Sequence, residues 1–155
     1  MSEDALRALE AALLRKRRAG EILLDADGYD RWGAANDTPE NRARMEAQAA
    51  AAEVERRAAV ADLESRVEEL RRDAPDVVAR WADLHDEYLR RFIESLGTPP
   101  ESSFESTAKY VASEERDAWR AVKRGEKAFV DENVYYVNID PARYTAVFGF
   151  DPIWP

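Results

Sequence analysis

Apolar residues recur at three- and four-residue intervals through most of this chain, the period of helices buried on one face. Leu6, Leu9 and Leu13 predict a first helix over residues 3–19, closed by Gly20 after the basic run Arg15-Lys16-Arg17-Arg18. Residues 20–38 lose the period while keeping Ile22, Leu23, Leu24, Tyr29 and Trp32, and read as an irregular connection packed across a bundle. Thr38-Pro39 opens a second helix over 39–72, with proline at the first helical position. Its apolar positions are thin at Met45, Ala49 and Ala52, then firmer at Val60, Leu63, Val67 and Leu70, the 3-4-3 spacing of a coiled-coil seam. Acids stand four residues before bases at Glu40/Arg44, Glu53/Arg57, Asp62/Arg66 and Glu68/Arg72, the favourable orientation on a helix surface.

A third helix, 75–96, begins at Pro75 and carries the broadest apolar face: Val77, Val78, Trp81, Leu84, Tyr88, Leu89, Phe92 and Ile93. It should form the centre of the core. A fourth, 104–124, is announced by the capping box Ser102/Glu105 and ended by Gly125. Beyond Gly125 the pattern changes. Residues 127–130 and 134–139 are β-prone and predict a hairpin, which is marginal unless it packs on something. Asp140-Pro141 then starts a short helix over 141–148, ended by Gly149, and residues 150–155 leave extended. The expected fold is mainly α: an elongated bundle of about four helices with one long, charged, coiled-coil-like member. Residues 1–125 form the bundle and 126–155 an appended hairpin, short helix and aromatic tail.

Composition changes this picture little. The 155 residues carry a net charge of −9 and 35% charged residues, above the usual share and consistent with long solvated helices. That balance argues against phosphate-backbone binding as the main task. Cysteine is absent, which removes disulfides, thiolate metal sites and thiol catalysis. No membrane-length apolar run and no basic-plus-apolar leader is visible, so a soluble, cytoplasmic protein is expected, and a virion component fits equally.

Candidate chemistry is sparse. Asp25, Asp27 and Asp30 resemble the start of a calcium loop, but Tyr29 stands at the fifth position, Asp30 at the sixth where glycine is needed, and Asn36 at the twelfth where a bidentate Glu is needed, so an acidic turn is the simpler reading. His85 is the only histidine and cannot furnish the two Glu-x-x-His motifs of a di-iron bundle; a structural histidine is expected. Glu115 shares a stripe with Val111 and Val122, which predicts a partly buried acid held by an arginine. No nucleotide-binding glycine motif is present. No catalytic residue, metal, cofactor or small-molecule substrate is expected.

Six of the fifteen aromatic residues fall within the last 21 positions. They must be buried on the chain's own bundle or on a partner. Tyr136, Tyr144, Phe148, Phe150, Ile153 and Trp154 are therefore the candidate partner-binding residues, with Phe150, Ile153 and Trp154 the most exposed to that role. The second helix, roughly 50 Å long, also outreaches a compact domain of this size, so something should flank its far end. The reading is a non-enzymatic assembly or adaptor subunit that self-associates or docks a protein partner, such as a virion connector or an accessory subunit of a larger complex. The alternatives are a small acidic inhibitor that mimics nucleic acid and a small enzyme working with carboxylates alone.

Overall fold

The computed structural model describes residues 2–32, 37–96, 103–127 and 137–153. Five helices make up the described chain: α1 (Ser2–Trp32), α2 (Pro39–Asp73), α3 (Pro75–Glu94), α4 (Ser103–Lys123) and α5 (Pro141–Phe148). Three start where the prolines predict. Thr38 Oγ1 accepts the Asn41 N–H at 3.1 Å at the head of α2, and Asp140 Oδ1 accepts the Ala142 N–H at 3.1 Å at the head of α5. Only Ala74 separates α2 from α3, because Pro75 cannot continue the hydrogen-bond ladder of α2. Gly149 ends α5 at φ +81°, the left-handed conformation that costs a glycine little.

The first helix differs from expectation. It does not stop at Gly20 but runs on to Trp32, so the connection expected over 20–38 is mostly helix. The physical reason lies in the seam between α1 and α2. Ala12, Ala19 and Ala26 on α1 and Ala52 and Ala59 on α2, spaced seven apart, are all buried, and Gly20 is buried beside them. These small side chains let α1 and α2 run antiparallel in close approach, and contact with α2 offsets the helix penalty of about 1 kcal/mol that glycine carries. Residues 25–30 therefore have helical backbone, which removes the acidic turn and any calcium loop there. The basic run lies in mid-helix, where Arg15 pairs with Glu55 at 2.9 Å and Lys16 is buried. It is also α1 that flanks the far half of α2.

The aromatic core sits at the other end of this pair. It joins Leu6, Leu9 and Leu13 of α1, Leu63 and Val67 of α2, Trp81 and Leu89 of α3, Trp119 and Val122 of α4, and Tyr144, Phe148 and Phe150 of the C-terminal segment. The C-terminal segment is thus part of the same core as the bundle. No strand occurs among the described residues. Most of the expected hairpin, 128–136, lies outside them; residues 137–139, assigned to its second strand, are irregular and held by side chains rather than by a ladder. No described helix is long and apolar enough to cross a membrane.

Candidate functional site

Two features gather the residues that could carry function: a buried polar cluster where the two ends of the chain meet, and the outer surface of the α1–α2 pair.

The cluster is built on Glu10. It lies one turn beyond Leu6 on the buried face of α1, is 7% exposed, and receives three hydrogen bonds. Trp81 Nε1–H donates at 2.9 Å and His85 Nε2–H at 2.8 Å, both to Oε2, while the Tyr144 hydroxyl donates to Oε1 at 2.6 Å. Trp81 and His85 are one turn apart on α3, so both reach the same oxygen. Burial pushes the Glu10 carboxyl upward, but the charge and hydrogen bond of His85, with those of Tyr144 and Trp81, outweigh it and hold the group at about 2. Burial, followed by the neighbouring Glu10 charge, drives the Tyr144 hydroxyl far above its ordinary range. His85 stacks flat on Trp119, centroids 3.9 Å apart, and meets the edge of Phe148 at 4.9 Å.

A second buried acid adjoins the first. Glu115, 7% exposed, accepts the Trp119 Nε1–H at 3.3 Å and the Val137 N–H at 3.4 Å, and the Arg17 guanidinium lies 3.7 Å away. Tyr88 completes the attachment of the C-terminal segment. Its hydroxyl donates to the Asn138 carbonyl at 3.1 Å and accepts the Asp140 N–H at 2.7 Å.

These bonds tie α1 to α3 and to α5. All three lone-pair directions used on Glu10 are occupied by the protein, and the cleft beside it, between Leu14, Arg17, Ile139 and Ile153, holds about 30 Å³, room for a water or two. Small-molecule sites are commonly ten times larger. Among the described residues no three His, Asp or Glu side chains are placed to hold a metal ion.

Of the six candidate partner residues, Tyr144, Phe148 and Phe150 are 2%, 4% and 5% exposed and pack in the chain's own core. Tyr144 stacks on Phe148 at 4.0 Å, and Phe150 sits under the Arg7 guanidinium at 4.5 Å. Those rings are consumed internally, because the bundle's own hydrophobic face was open to receive them. Ile153 is half-buried at the cleft; Tyr136 and Trp154 lie outside the described residues. Glu115 and His85 are both buried, Glu115 with the Arg17 guanidinium beside it as its stripe predicts. Glu10 was missed, although an acid between Leu6 and Leu13 on the apolar face of a helix was a readable signal.

The second feature is the far half of the α1–α2 pair. Outside the aromatic core and the Glu10 cluster, the buried residues of these helices among those described are Lys16, Ala19, Gly20, Ala26, Ala52 and Ala59. At 100° per residue, Ala43, Ala47, Ala50, Val54, Ala58 and Ala61 fall within about 80° of arc on the side of α2 away from α1. All six are exposed, and Val54 is 71% exposed. On α1, Ile22 is 42% exposed over a groove shared with Ala51, Ala52, Arg15 and Arg18. Two of the three large apolar side chains that stand open among the described residues are therefore on this arm.

The chain matches no protein-family model, no curated protein and no solved structure.

Proposed function

We propose that the protein is a non-enzymatic assembly or adaptor subunit whose docking element is the arm formed by the far halves of α1 and α2. The observation that carries this reading is the row of exposed alanines and Val54 on the outer face of α2, opposite the seam it shares with α1. A helix apolar on two opposite faces has more to bury than one neighbour can cover. The aromatic body serves as the base that holds the arm's root. The C-terminal segment, first expected to grip a partner, is mostly engaged in that base.

The acidic-mimic reading draws less support. The acids on the outer face of α3 are interleaved with cations: Asp83 pairs with Lys123 at 2.8 Å, Asp86 with Arg116 at 2.8 Å and Glu87 with Arg91 at 2.9 Å. A mimic of a phosphate backbone would leave such acids uncompensated. Light scattering on the full chain, together with recovery of bound proteins from the native source, tests the proposal. Val54→Asp should lower the assembled mass or lose the recovered partner. Unchanged mass and unchanged recovery would remove the arm from consideration.

A further inference from the structure

We infer that the far half of the α1–α2 pair, residues 19–26 with 37–52, opens and closes as a unit of its own while the aromatic body stays folded. It is a conformational device built into the fold, and it stands whether or not the arm docks a partner.

The buried side chains set the difference between the two parts. In the body, Leu9, Leu63, Val67, Trp81, Leu89 and Trp119 are fully buried. Enclosing a side chain of that size contributes roughly two to four times as much as enclosing one methyl group. In the far half the enclosed side chains are Ala19, Ala26 and Ala52, beside Gly20, and the larger Leu23, Leu24 and Met45 are only half-buried. The core that joins all five helices takes nothing from α1 beyond Leu13 and nothing from α2 before Leu63. Helices draw most of their stability from the face they pack, so the far half holds its shape on a much smaller share than the body does.

A polar boundary separates the parts. Arg15 reaches across the seam to Glu55 at 2.9 Å and Asp62 at 3.7 Å, and Arg17 lies 3.7 Å from Glu115 on α4. These pairs pin the root of the arm to α2 and to the body. On α2 the bonds of Arg56 and Arg57 to Glu53, and of Arg44 to Asn41, join residues three or four apart on the same helix. Such pairs support the helix itself and survive its separation from α1. Opening therefore gives up the alanine seam while these pairs and the root stay in place.

Native-state hydrogen exchange on the full chain, repeated over low concentrations of denaturant, tests the inference. The amides to compare are Leu23 and Ala52, each more than two turns from the end of its helix, against Leu89 and Trp119 in the body. After correction for intrinsic rates, the arm amides should exchange at least roughly tenfold faster than the body amides and depend less on denaturant. Ala52→Gly removes one buried methyl and lowers helix propensity, so it should speed exchange at Leu23 by roughly tenfold and leave Leu89 and Trp119 unchanged. Arm and body amides that share one rate and one denaturant dependence overturn the inference. So does an Ala52→Gly variant that leaves the arm as it was, or that speeds the body as much as the arm.

Discussion

Replacing Glu10 by leucine should be among the most damaging single changes outside the hydrophobic core. The substitution strands the Trp81 and His85 N–H groups and the Tyr144 hydroxyl in a site where each residue is 3% exposed or less. Leaving a buried donor without its acceptor costs about 1–3 kcal/mol for each group, so losing the acceptor of three donors puts the cost at about 3–5 kcal/mol. The carboxyl itself gives a second route to the magnitude. It is held at about 2 against an ordinary 4.5, which corresponds to about 3 kcal/mol of folding free energy at neutral pH. For a chain of this length each kcal/mol moves the melting temperature by about 3 °C, so Glu10→Leu should lower it by about 9–15 °C. The sign with pH follows from the depressed value. The contribution is complete above pH 4.5 and is lost as pH falls through about 2. Urea unfolding followed by far-UV circular dichroism should therefore show wild type losing stability over that window, with Glu10→Gln lacking about 3 kcal/mol of the loss. Adding Tyr144→Phe to Glu10→Leu should cost less than Tyr144→Phe alone, because the hydroxyl has already lost its acceptor. A melting temperature within about 3 °C of wild type for Glu10→Leu, or identical acid profiles for wild type and Glu10→Gln, would refute the reasoning.

Other substitutions probe separate parts of the fold. Arg71 on α2 donates to the carbonyls of Val122 (2.8 Å), Gly125 and Lys127 at the end of α4, so Arg71→Met should cost about 1–3 kcal/mol by chemical denaturation. Gly149→Ala meets no atom within 4 Å and pays only for its left-handed backbone, a loss of about 1–2 kcal/mol in the same assay. Ala59→Leu forces a large side chain into a fully buried position between α1 and α2 and should destabilise by about 1–3 kcal/mol in thermal unfolding, whereas Ala58→Leu, exposed one residue away, should not.

Where the chain carries strong local chemistry, the sequence was legible. Prolines 39, 75 and 141 mark helix starts because a missing N–H is harmless only there, and the broad face of α3 is central because its rings have nowhere else to go. Gly20 misled because a basic run followed by glycine has the same appearance whether the helix stops or a close neighbour passes. What distinguishes the two is the alanine repeat on α1 and α2, which hydrophobicity alone ranks too low to see. The C-terminal rings were recognised as needing burial, but their destination was not. Nothing local in residues 137–153 states that Tyr88 and Glu115 on distant helices hold polar groups aimed to receive that backbone. The hairpin expectation followed β-propensity, and at Val137 and Asn138 tertiary contacts to those two side chains took its place.

The bond from Tyr144 to Glu10 closes a loop of 134 residues, and its consequence lies in the order of events during synthesis. The α1–α2 hairpin needs only near neighbours along the chain and can zip as soon as residue 73 has emerged. The aromatic core cannot, since its first helix must wait for the last one before Glu10 gains its third donor. Until then the ribosome displays a formed arm on an unfinished base, with Trp81 and Trp119 open to solvent and to chaperones.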